Sequence, residues 1–221
     1  MKFEIFIFFI STIFVSKGQE TTFALSDATK EFLLKLVEGV RFMKDRSGDI
    51  VETVEFQMKS FNESANMKLE EVNRKTTQVL DRISSNDEYK KCIDGERIHL
   101  RMMIQRARAD VNQCLRNGII HAQVLRNYTI QPFDNIKLNH FVKKCIHQEE
   151  QSGCSEQEAS VVKEEAESAF KRVYANLYKA GGEVEPLAER TSQCVNIVTS
   201  RATTEAKNFI DSTMEKCVEA K

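Results

Sequence analysis

The chain has 221 residues, with 32 Lys and Arg against 33 Asp and Glu, a net charge of −1, two prolines and no tryptophan. That balance excludes the strongly basic face a nucleic-acid partner needs. The length suffices for one domain with a real core, and long breaker-free stretches rich in Glu, Lys, Ala, Arg and Leu favour helix.

Residues 1–18 read as a secretory signal peptide. A short start with Lys2 and Glu4 leads into an apolar run from Ile5 to Val15, and the small residues Ser16 and Gly18 follow. The run falls well short of the roughly 20 apolar residues of a membrane helix. No second apolar run of spanning length occurs, so no membrane span is expected in the mature chain. Cleavage after Gly18 removes Lys2, Glu4 and Lys17, which takes the net charge from −1 to about −2. The expected location is extracellular.

Residues 19–84 read as an N-terminal amphipathic helical hairpin. Ser26 is a candidate N-cap. Phe32, Leu33, Leu36, Val37, Val40 and Met43 form one stripe over 27–45. Ser47-Gly48-Asp49 is expected to break it. A second long helix over 50–83 carries Val51, Val54, Met58, Phe61, Ala65, Leu69, Val72, Thr76, Val79 and Ile83.

Residues 85–221 read as a disulfide-linked helical bundle. Ser85 is expected to cap a helix with the stripe Tyr89, Cys92, Ile93, Leu100, Met103, Ala107, Val111, Cys114 and Leu115, closed at Gly118. Residues 119–148 look helical but broken near Pro132. Ser155-Glu156-Gln157-Glu158 is a capping box opening a helix to about Ala180, with Gly181-Gly182 as its stop. Pro186 is expected to open the last helix.

Six cysteines behind a secretion signal imply disulfides. Cys92 and Cys114 are 22 residues apart, and Cys194 and Cys217 are 23 apart. On one helix each such pair is separated by about 33 Å or more, too far to bond. If segments 88–117, 119–148, 156–180 and 187–219 run up, down, up, down, the first and last are antiparallel. Cys92 is then level with Cys217 and Cys114 with Cys194, while Cys145 and Cys154 flank a turn. Other pairings or intermolecular bridges stay open. The fold expected is an all-α, elongated antiparallel helical bundle stapled by disulfides.

Asn62-Glu63-Ser64 and Asn127-Tyr128-Thr129 are glycosylation sequons. Asn127 is the better placed if 127–132 forms an exposed turn, because Asn62 neighbours the core position Phe61. The sequence holds no G-x-S-x-G, no H-E-x-x-H and no Gly-rich phosphate loop. His99, His121, His140 and His147 sit among charged residues, as on a solvated face. His140, Cys145 and His147 share a segment without zinc-site spacing. Met67, Met102 and Met103 are expected as core filler. No metal, cofactor or catalysis is expected. The cysteine order also lacks the early C-x3-C of insect odorant-binding proteins.

The segment Cys92-Ile93 to Asn112-Gln113-Cys114-Leu115, and its counterpart from Cys194 to Cys217, resembles the TsetseEP-type secreted helical proteins of insects. The resemblance spans residues 88–219 and rests on spacing and composition. It implies an extracellular protein without known catalysis, and it supplies no site residues. Two functions remain in view. One is a secreted, non-enzymatic interaction or structural module meeting an extracellular protein or lipid partner. The alternative is a carrier of lipid or a small hydrophobic ligand, in which residues 27–83, which hold no cysteine, open and expose their stripe.

Overall fold

The structure is a computed structural model that describes residues 25–146 and 154–219. The signal-peptide reading of 1–18 and the histidine at 147 lie outside the described residues. Helix α1 spans Asp27–Ser84, α2 spans Asp87–Ile130, α3 spans Leu138–Cys145 and α4 spans Glu156–Met214. A 3-10 turn at Gln131–Phe133 follows α2, and a π-helical turn at Glu215–Glu219 ends α4. No strand occurs among the described residues.

The ends of these helices follow from local chemistry. Ser26 caps α1 by accepting from the Thr29 N–H. Asn86 caps α2, one residue after the Ser85 expected from sequence, with its Oδ1 accepting from Glu88 N–H at 3.1 Å. Ser85 instead donates its hydroxyl to the Arg82 carbonyl and closes α1. The capping box at the start of α4 is complete: Ser155 Oγ accepts from Glu158 N–H and the Glu158 carboxylate accepts from Ser155 N–H.

The largest correction concerns breakers. Residues 27–84 form one helix of 58 residues and not a hairpin. The expected break at 47–49 is absent for packing reasons. Ser47 is fully buried and donates its hydroxyl to the Lys44 carbonyl at 2.6 Å, and Arg46 pairs with Asp49 at 2.9 Å. Met43, Ile50 and Val54 carry the buried stripe across the gap. A mid-helix glycine costs only about 1 kcal/mol, less than burying even one of those side chains contributes. The same reasoning corrects two further boundaries. Gly118 does not close α2 but lies buried inside it, and Gly181, Gly182 and Pro186 all lie within α4. Residues 119–130 extend α2, and only the short α3 remains of the expected helix over 119–148.

The bundle therefore has three long helices rather than four full-length segments. Ser26 N–H donates to Glu156 Oε1 at 2.7 Å, which sets the starts of α1 and α4 side by side, so these helices run parallel. Arg97 pairs with Asp81 at 2.6 Å across the α1–α2 turn, and α2 runs antiparallel to both. Cys92 bonds Cys217, Cys114 bonds Cys194, and Cys145 bonds Cys154. The first two bonds staple α2 to α4 and its terminal turn at two levels, and the third ties the end of α3 to the start of α4.

The core divides into three clusters along the rod. Leu33, Leu36, Val40 and Met43 of α1 meet Phe141 and Val142 of α3 and Val162, Ala166 and Val173 of α4. In the middle Val54, Met58 and Leu69 meet Val111 and Leu115 of α2 and Val195 and Val198 of α4. At the far end Leu80 meets Ile93, Leu100 and Ile104. Helix α1 contributes to all three clusters, so residue 84 ends a helix and does not divide two cores.

Candidate interaction surface

Outside the core, the chemistry of this fold lies on the outer faces of its helices. The first feature is Glu96, only 8% exposed on α2 beside the Cys92–Cys217 bond. Lys216 of the terminal turn donates to its carboxylate, and His99 Nδ1 lies 2.9 Å from Oε2. The bond from Lys216, then that from His99, hold its pKa below the usual glutamate value against burial, which acts the other way. The triad clamps the chain end to α2. Sequence reading missed it, although position 96 is the one step at which the stripe between Ile93 and Leu100 lacks an apolar residue.

A second clamp joins the opposite ends. Burial, the largest single influence on Glu156, raises its pKa. Hydrogen bonds from Ser26 N–H and the Thr29 hydroxyl together outweigh burial and leave the pKa lowered. Glu156 thereby serves the first turns of both α1 and α4, where a carboxylate also suits the helix dipoles.

The outward face of α2 mixes cations with aliphatic side chains. Ile98, Met102, Ile120 and Val124 are between 46 and 58% exposed there. Lys91, Arg101, Arg106 and Arg116 are exposed on the same helix. The acids of this stretch are engaged: Asp94 with Arg97, Glu96 with Lys216, and Asp110 with Arg201 of α4. Other large side chains stand outward singly, such as Phe56 on α1 at 77% and Tyr178 on α4 at 82% exposed. Met67 and Met102, expected in the core, are exposed. Their positions fall off the inner stripe once the register of each helix is fixed.

Depressions on the described surface include two beside α2 and α4. One, of about 360 Å³, is lined by Pro132, Asn135 and Ile136 of the connector and by Glu165, Ser168 and Arg172 of α4. Glu165 Oε2 is buried there without a hydrogen-bond partner. The other, of about 290 Å³, is a shallow dip among Asn117, Ile120, His121 and Val124 on α2.

The sequence-derived positions are scattered rather than gathered into one site. Asn127 is exposed, but it lies in the last turn of α2 and not in a free turn, and its carbonyl accepts from Gln131 N–H. Asn62 is half-buried and accepts from Asn66 Nδ2 at 3.1 Å. His99, His121 and His140 lie on exposed faces of separate turns. Among the described residues no three His, Cys, Asp or Glu side chains converge as a metal site. No described helix is long and apolar enough to cross a membrane.

No family model, no curated protein and no solved structure matches this chain.

Proposed function

We propose that the protein is a secreted, non-enzymatic helical rod that acts as an extracellular interaction or structural module, in keeping with its resemblance to TsetseEP-type proteins. One observation carries this reading: the apolar stripes of all three long helices are already buried against one another. Contact with partners is then left to the outer faces, where cations and isolated apolar side chains stand free. The cystines suit such a role, because they constrain the unfolded chain without shaping a pocket. Asn127 and Asn62 are its glycosylation positions, Asn127 being the more accessible.

A carrier of lipid or a small hydrophobic ligand is the second reading. It is favoured by the absence of any cysteine in residues 27–84, so that no cystine ties α1 to the other helices. Native mass spectrometry of the secreted protein separates the two. The interaction module gives the mass of the cleaved chain with three disulfides and any glycans. A stoichiometric apolar ligand that co-purifies would instead establish the carrier.

A further inference from the structure

We propose that the outward face of α2 docks on an anionic lipid surface. The proposal rests on the interaction reading and names the partner class of one face. At about 100° per residue, Lys91, Ile98, Arg101, Met102, Arg106, Arg116, Ile120 and Val124 fall within an arc of about 140°. They extend over about 50 Å of a straight helix.

Between residues 91 and 124 the arc carries four cations and one acid, Asp94, while Asp87 and Glu88 lie on it one turn before Lys91. Lys91, Arg101, Arg106 and Arg116 form no ion pair among the described residues, whereas the nearby acids Asp94 and Asp110 are held by Arg97 and Arg201. Four free cations call for an anionic partner. The aliphatic side chains decide which kind. Ile98 and Met102 stand beside Arg101 and Arg106, and Ile120 and Val124 follow Arg116. A sulfated polysaccharide gains nothing from them. A bilayer surface takes cations at its headgroups and aliphatic tips at the acyl boundary. Asn127 lies one turn beyond Val124, so a glycan there marks the limit of the docking face.

The test uses the full secreted chain and sedimentation with vesicles of phosphatidylcholine, with or without phosphatidylserine. The expected result is binding to the phosphatidylserine vesicles alone, weakened by salt. Arg101→Gln with Arg106→Gln should weaken it about thirtyfold, since each cation near an anionic leaflet contributes about fivefold. Arg41→Gln with Lys59→Gln removes the same charge from exposed positions on α1 and should leave binding unchanged. Ile98→Ser with Met102→Ser should also weaken it. Circular dichroism establishes that each variant is folded. The proposal is overturned by no binding, by equal binding to both vesicles, or by an equal loss in the α1 variant. It is also overturned if the Ile98 and Met102 variant binds fully while a soluble sulfated oligosaccharide competes, which would assign the face to a polyanion. None of these outcomes touches the interaction reading, whose failure is a co-purified apolar ligand.

Discussion

Gly118 of α2 lies so close to Thr191 of α4 that a Cβ at 118 would stand 2.9 Å from Thr191 Oγ1 and 3.0 Å from Met58 Sδ. All three long helices meet at this point. Thr191 is poorly placed to give way, because its hydroxyl donates to the Leu187 carbonyl and its β-branch restricts χ1 in a helix.

Gly118→Ala is therefore expected to lower stability by about 1–2 kcal/mol, overpacking outweighing the gain in helix propensity. Gly95→Ala, in the same helix with nothing within 4 Å, should raise stability by about 1 kcal/mol. Chemical denaturation of the two variants checks the contrast. Stabilisation by both would mean that the helices are further apart than described.

Pro186 lies inside α4 on an exposed face, four residues after Gly182. It removes one backbone hydrogen bond and crowds the Gly182 carbonyl. Pro186→Ala should restore the bond and stabilise the protein by about 1 kcal/mol or more, reduced by the freedom the unfolded chain regains. A fall in thermal midpoint would instead show that the restriction proline places on the unfolded chain outweighs the missing bond.

The cystines should differ in weight. Cys114–Cys194 spans 80 residues of sequence and Cys145–Cys154 spans 9. Replacing both cysteines by serine should cost about 4 kcal/mol for the first pair and about 2–3 kcal/mol for the second, on the loop-entropy account. Denaturation of the two double variants gives the order, and a larger loss for the short loop would contradict it.

Glu96 gives a pH signature. Its folded pKa is lowered, first by the bond from Lys216. Its contribution is therefore present above the ordinary glutamate value, about 4.3, and is lost as pH falls through the lowered folded value. Glu96→Gln should cost about 1 kcal/mol at neutral pH, because Lys216 is largely exposed. It should also flatten the acid limb of the stability curve. An unchanged acid limb would remove Glu96 from the clamp.

Much of this fold is legible in the sequence, because the information lies in period and spacing. The stripes of Leu33 to Met43 and of Val54 to Leu69 define the buried faces, and the separations of 22 and 23 between cysteines set the levels at which antiparallel helices are stapled. Helix ends inside the rod are not legible. Gly48, Gly118 and Gly181 look like stops locally and Pro186 like a helix start, and long-range packing overrides them. The clamp of Glu96 by Lys216 joins residues 120 apart in sequence, so no local pattern announces it. The cationic face of α2 emerges only once its inner stripe is fixed.

Hydrogen exchange, with and without a soluble fatty acid, tests most directly whether the apolar stripes stay closed while partners are met outside. Helix α1 carries no cystine, so its amides over 27–84 should exchange before those of the stapled α2 and α4. The fatty acid should leave that rate unchanged. Faster exchange around Leu36, Val40 and Met43 in its presence would contradict the interaction rod and establish an opening carrier.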